Sequence, residues 1–267
     1  MNVAQGLRLA LKSLATNKLR SGLTMLGIVI GVGAVIALVA AGAGAQAQIR
    51  EQFQSLGSNL LVISPRAAFF RGVSQRAASA ESLTNEDVVA IVELARTVSA
   101  VAPEYSLEAT VAYGNKNLQT TVLGVTPEYP AVANWRVARG RFVDELDLSS
   151  QAKVAVLGAS AGEELFGALV DPLGKTIKIN RQNYRVVGLM ASKGVGGFQN
   201  LDDQVFIPLS TAQIKFGGAG NNSLRAINVQ VVSADKIGQA KAELAAILRA
   251  RHGLRGGQTD DFVVRDQ

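Results

Sequence analysis

The side chains that could do chemistry are few and scattered. The 267 residues hold a single histidine, His252, and no cysteine, which removes disulfides, thiolate metal sites and cysteine nucleophiles together. The compartment stays open, because a domain large enough to stand on its own core needs no disulfide outside the cytoplasm. Any Ser-His-Asp site or histidine-based zinc cluster would have to use His252, which ends a basic helical stretch just before Gly253, the place of a C-terminal cap. Gly174-Lys175-Thr176 has the ending of a phosphate-binding loop, but the first glycine of that motif would fall on Leu169, and the context is a strand entering a hairpin. The acidic pairs Asp202-Asp203 and Asp260-Asp261, and the cluster Asp144, Glu145 and Asp147, could ligate calcium, although such groups more often flank strands in solvated loops. No catalytic, cofactor-binding or metal-binding residue is therefore assigned. An enzyme is the weakest function class, because no nucleophile, base and orienting group can be assembled.

The charge distribution points to a membrane rather than to nucleic acid. All 21 acids lie at or after Glu51, and only Arg8, Lys12, Lys18, Arg20 and Arg50 are charged before it. Removing those five bases leaves 22 Lys and Arg against 21 Asp and Glu, so the formal +6 belongs to the N-terminal end and the rest is nearly neutral. Nucleic-acid binding needs a basic face on the folded domain, and none is indicated.

From Ser21 through Ile49 there is no charge, and Leu23 to Ala45 reads LTMLGIVIGVGAVIALVAAGAGA. A hydrocarbon core of about 30 Å takes about 20 helical residues, so the stretch predicts a transmembrane helix over 21–45. The alternative is a cleaved leader, for which Ala43-Gly44-Ala45 offers a small-residue site. A leader's apolar region is shorter, about 7 to 15 residues, and seldom follows a patterned helical segment. The bases Arg8, Lys12, Lys18 and Arg20 hold the N-terminus in the cytoplasm by the positive-inside rule, which places the following domain outside. Val3, Leu7, Ala10, Leu11 and Leu14 recur at helical spacing, so residues 1–20 read as an amphipathic helix along the cytoplasmic membrane surface. Gly27 and Gly31 lie on one face of the spanning helix with Ala34 nearby, the small-xxx-small spacing that lets two helices approach closely.

Beyond residue 46 the chain alternates short strands and helices. Strands are predicted at Leu60 to Ile63, Glu108 to Tyr113, Leu118 to Val125, Val154 to Leu157, Lys175 to Ile179, Tyr184 to Leu189, Val205 to Ile207, Ala226 to Val232 and Asp261 to Val264. Thr84 and Asp87 form a capping-box-like start for a helix to Arg96, a short helix ends near Phe166-Gly167, and another runs from Ala234 to Arg251. Ser192 to Gln199 is predicted as a mobile loop, and Gly194, Gly196 and Phe198 in it are assigned as a candidate partner or substrate loop. Strand-helix-strand near each end with a β-rich middle predicts an α+β domain of two subdomains, one from 46–107 and 220–267, the other from 108–219.

The stretch from Leu11 to Pro65 resembles the start of the MacB-type permeases of ABC transporters, within the FtsX-like superfamily. Leu83 to Asp87, Val122 to Pro127, Arg139-Gly140-Arg141-Phe142, Val154 to Gly158, Asp171 to Lys175 and Val205 to Pro208 resemble, in order, later elements of that family's periplasmic core domain. The resemblance implies an α+β subdomain from both ends of the domain and a β-rich insertion. It also implies a homodimer in the cytoplasmic membrane whose periplasmic domains are moved by ATP hydrolysis on a separate ATPase subunit or domain, with a periplasmic adaptor as a candidate further partner and no cofactor in this chain. Relatives export macrolides, peptides or lipids, extract lipoproteins or regulate cell-wall hydrolases, so the substrate is not fixed. A family permease carries three further membrane helices after this domain, and some members a fused ATPase. Neither is present up to Gln267, which leaves part of a longer permease or a single-pass protein completed by its partners. The expected function is a permease subunit of an ABC-type export or mechanotransmission complex, and the alternative is a membrane-anchored binding or regulatory module without transport.

Overall fold

The computed structural model describes residues 17–55, 59–66, 68–70, 73–75, 83–167, 170–196, 199–218 and 220–266. The amphipathic segment with Arg8 and Lys12, and Phe198, lie outside them. The chain forms two units, Met1–Gln54 and Ser55–Gln267. Among the described residues the first is made by one helix, α1, Lys18–Ser55. Within its part Lys18–Gly44, 27 residues long, an 18-residue stretch has a mean hydropathy of 2.6, and none of that stretch is buried. Those 27 residues extend about 40 Å at 1.5 Å per residue, enough to cross a bilayer. An apolar helix suits that setting because it satisfies its own backbone hydrogen bonds.

In the second unit β1 (Leu60–Pro65) is followed by a short hairpin, β2 (Ala68–Phe70) and β3 (Val73–Gln75), then α2 (Asn85–Leu94) and the long β4 (Val98–Tyr113). Next come β5 (Lys116–Val125), α3 (Tyr129–Val132), β6 (Val137–Gly140), α4 (Glu145–Ser149), β7 (Val154–Leu157) and α5 (Ala159–Phe166). The chain then forms β8 (Thr176–Ile179), β9 (Gln182–Met190), β10 (Val195–Gly196), β11 (Gln199–Asn200), β12 (Gln204–Pro208) and α6 (Leu209–Ala212). It closes with β13 (Ala226–Val231), α7 (Ile237–Arg251) and β14 (Phe262–Asp266).

Strands β14, β1, β13 and the first half of β4 pair in that order, all antiparallel. With α2 between β1 and β4, and α7 between β13 and β14, this is a split β-α-β arrangement of the ferredoxin-like kind. Alternate residues of the strands face the helices: Leu61, Ile63, Ile227 and Val229 pack with Ile91 of α2 and Leu244 and Leu248 of α7. Each such side chain contributes about 1.5–3 kcal/mol by leaving water.

The β-rich middle is a closed ring. β4 pairs with β5, β5 with β12, β12 with β7, β7 with β9, β9 with β8, and β8 again with β4. The inward residues Val111, Val122, Leu157, Ile177, Ile179, Tyr184, Val186 and Val205 form one core, with Leu165 and Phe166 of α5 packed into it. Full closure leaves no free edge around the ring. Outside it Tyr129, Trp135, Phe142 and Phe206 form an aromatic cluster.

β4 joins both parts. Its residues up to Glu104 pair with β13, and from Tyr105 onward it pairs with β5. The sequence pattern predicts only Glu108 to Tyr113 of it, and the proline at position 103 is a residue that a central strand disfavours. Arg225 N donates to Glu104 O at 2.8 Å, so the Glu104 carbonyl faces β13 and the nitrogen of Pro103 faces the open edge, where no donor is required.

Candidate functional site

The helix residues singled out by their sequence are all exposed. Lys18 and Arg20 sit in the first turn of α1 and Gly27, Gly31 and Ala34 along it. A Cβ built at Gly27 or Gly31 meets no atom within 4 Å, so this narrow face is unoccupied among the described residues.

Of the segment Ser192 to Gln199, where a mobile loop is expected, residues 192–196 and 199 are described. Val195–Gly196 pairs with Gln199–Asn200 as a small antiparallel hairpin. Gly194, at φ +82°, supplies a backbone conformation that other residues rarely adopt. One carboxylate anchors its base: Asp202 accepts from Ser192 Oγ at 2.6 Å, from Lys193 N at 2.7 Å and from Gly194 N at 3.0 Å. Asp202 is only 3% exposed. This overturns its reading as a solvated loop acid; the side chain replaces the backbone partners that a tight turn leaves unpaired.

Four of the other acids, Asp144, Asp147, Asp260 and Asp261, are likewise committed to local partners. Asp144 and Asp147 form a capping box at the start of α4, and Asp147 also accepts from Arg141 Nη2 at 3.1 Å. Asp260 pairs with Arg249, and Asp261 with Nδ1 of His252 at 2.8 Å. Among the described residues no group of three or more His, Asp or Glu side chains is placed to hold a metal ion.

Two residues that the sequence pattern did not single out meet beside the hairpin. Lys193 Nζ donates to Ala133 O at 2.6 Å and lies 5.4 Å from the centroid of the Trp135 ring. Trp135 Nε1 donates to Ala191 O at 2.7 Å, which fixes the ring. Their separation along the chain hides the pair, although a lone tryptophan in a polar loop is a signal that could have drawn attention.

The described residues thus include a helix of membrane-spanning length and a ferredoxin-like sheet continued by one strand into a closed barrel. The family model for the MacB-like periplasmic core domain matches residues 21–247. The chain belongs to this family. A macrolide export ATP-binding/permease protein MacB of Chlorobium phaeobacteroides is 37% identical over 257 residues, 96% of this chain and 38% of the relative. The protein of the same description from Wolinella succinogenes is 34% identical over 267 residues, 100% of this chain and 40% of the relative. The chain thus spans about two-fifths of the length of the curated relatives it matches. Among solved structures, the periplasmic region of MacB from Actinobacillus actinomycetemcomitans superposes with a TM-score of 0.65 at 23% identity, covering 82% of this chain and 94% of that one. The extracellular domain of the ABC-type transporter YknZ from Gram-positive bacteria gives 0.61 at 22% identity, covering 78% of this chain and 100% of that one. These two likenesses concern the fold. The MacB family is a transporter permease family, and the chain is an ABC-type permease component with an extracytoplasmic core domain and a membrane-length helix.

Proposed function

We propose that the chain couples a cytoplasmic ABC ATPase to the handling of a substrate or adaptor outside the membrane, as a homodimeric subunit with its N-terminus in the cytoplasm. ATP binds to a separate subunit or domain, and this chain transmits movement. The observation that carries the reading is the continuity of β4. It runs unbroken from Val98 to Tyr113, in the four-stranded sheet by its first half and in the barrel by its second. A strand paired along its length resists bending, so a displacement of the sheet is passed to the barrel rather than absorbed at a linker. We assign 46–107 with 220–267 and 108–219 as the two subdomains so linked. Gly27, Gly31 and Ala34 are the proposed face for the neighbouring membrane helix.

The chain contains no cysteine, so single probes can be placed freely. A spin label on Glu145→Cys, in proteoliposomes with the ABC ATPase that co-purifies with the chain, is expected to show an inter-protomer distance that changes when ATP is added. A distance indifferent to ATP, with the ATPase bound and active, would favour a membrane-anchored binding module.

A further inference from the structure

Where β4 leaves the sheet for the barrel, its outer face forms the floor of a cleft of about 340 Å³. Glu104 and Glu108 both line it, as an even spacing along a strand requires. The roof comes from distant segments: Tyr129 of α3, Trp135, Lys193 beside the hairpin and Gln204 of β12. The Glu104 carboxylate is held by Asn228 Nδ2 at 3.3 Å, and Glu108 accepts from Thr121 Oγ1 at 2.8 Å.

The polar groups of this cleft do not balance. Tyr129 is 8% exposed, and its hydroxyl makes no hydrogen bond among the described residues. Gln204 Oε1 is shut off from solvent without a partner. Two carboxylates therefore line the cleft with a single cation among its lining residues, Lys193, whose ammonium is already committed to Ala133 O and the Trp135 ring. Arg225 acts on Glu104 only through space, without an ion pair. A cleft rich in acceptors, walled by aromatic rings and short of a cationic donor has the composition that recognises ammonium groups.

We infer that the cleft binds an organic ammonium ion, its nitrogen set between the Glu104 carboxylate and the Tyr129 hydroxyl and its hydrocarbon laid against Trp135, with Lys193 as a built-in competitor for that ring. The protonation tendencies agree. Burial pushes the Glu104 carboxyl up despite Asn228 and Arg225, which is the behaviour of a carboxylate lacking a close cation. Burial also pushes the Tyr129 hydroxyl up, helped by the charge on Glu104, so it stays a neutral hydroxyl whose oxygen can accept from an ammonium N–H. Burial lowers the Lys193 ammonium against the pull of Asp202, so this cation gives way more readily than an exposed one. The site does not depend on the coupling function proposed above.

Trp135 is the sole tryptophan, so its fluorescence reports the cleft directly. The full chain in dodecyl maltoside is titrated with phenethylammonium chloride, and in parallel with 2-phenylethanol, a neutral molecule of similar shape, at constant ionic strength. A saturable change in emission is expected with the ammonium compound alone. Glu104→Gln should weaken binding about tenfold, Glu108→Gln by less, and Lys193→Met should strengthen it several-fold. Circular dichroism establishes which variants are folded, and if Glu104→Gln is not, the Glu108→Gln and Lys193→Met pair decides. An equal response to the alcohol overturns the inference, as do folded Glu104→Gln or Glu108→Gln variants that bind as the parent does, or a Lys193→Met variant that binds no more tightly.

Discussion

Nε2 of His252 lies 3.3 Å from Oδ2 of Asp87, the same oxygen that accepts from Thr84 N at 2.9 Å. Oδ1 of Asp87 accepts from Arg251 Nε at 2.7 Å, and Nδ1 of His252 is 2.8 Å from Asp261. The carboxylate that caps α2 thus also ties it to the C-terminus of α7 and the start of β14. Burial opposes the charge on Asp87, but Arg251, Thr84 and His252 outweigh it and hold the carboxyl below its usual range. Burial opposes the imidazolium too, and Asp261 and Asp87 raise it above its usual value.

The first prediction is a stability window. The contribution of Asp87 is present above the unfolded carboxylate value of about 3.9 and lost as pH falls through the lowered folded value. That of His252 is complete below the unfolded value of about 6.5 and lost as pH rises through the raised folded value. Stability should therefore decline on going from pH 6 towards pH 9. His252→Gln should remove most of that decline, and Asp87→Ala should cost about 3 kcal/mol near pH 6 by stripping a buried cap and leaving Arg251 unpaired. Thermal melts followed by Trp135 emission measure both. A pH slope equal in parent and His252→Gln would place the titrating group elsewhere.

The parts of this fold set by neighbours in sequence were legible from it. The capping box at Thr84 and Asp87 and the apolar run of α1 rest on local spacing, and both are present. Apart from β4, whose start lies ten residues before the predicted Glu108, the strands expected from the sequence lie within a few residues of the observed ends. What escaped depends on distant partners. Val98 to Glu104 has a proline and small or polar residues, and is a strand because β13 pairs with it. Closure of the barrel by Val111 opposite Ile179 has no local signature. Asp202 looked like a loop acid because nothing nearby in sequence shows that it is buried, and the cleft draws Glu104, Trp135 and Lys193 from three separate segments.

The second prediction uses two backbone positions. Asn180 and Arg181 join β8 to β9 with φ of 44° and 69°, a tight hairpin turn in which glycine is favoured at the second position. Arg181→Gly should stabilise the domain by about 0.5–1 kcal/mol. Gly140 has φ +75°, and a Cβ there would come 2.2 Å from Val187 O and 2.9 Å from Leu173 Cδ2. Gly140→Ala should cost about 3 kcal/mol, since strain adds to a clash with backbone. Denaturant midpoints of the two variants should move in opposite directions.

The third prediction concerns topology. With Lys18 and Arg20 ahead of the span and the domain behind it, the positive-inside rule puts the N-terminus in the cytoplasm. In a chain without native cysteine, a membrane-impermeant maleimide should label Glu145→Cys on intact spheroplasts and Asn2→Cys only after permeabilisation. The reverse pattern would invert the orientation. Loss of Asn2→Cys from the mature protein would mean that the helix is removed.

The last prediction tests whether α1 is more than an anchor. A Cβ at Gly27, Gly31 or Gly42 meets no atom of the described residues within 4 Å, so a larger side chain at any of them has no clash to make there. Leucine also inserts into a bilayer at least as readily as glycine, so insertion should be unchanged. If Gly27 and Gly31 lie against another membrane helix, leucine there forces the two backbones apart and forfeits their close packing and the weak hydrogen bonds it permits. Gly27→Leu and Gly31→Leu should then weaken self-association in membranes about tenfold, while Gly42→Leu, off the four-residue pair, should behave as the parent does. Cross-linking in native membranes across a range of expression levels measures the difference. Equal association of all three variants would make the glycine spacing incidental, because the only contacts that a leucine could disturb at these positions are those with another chain or another helix.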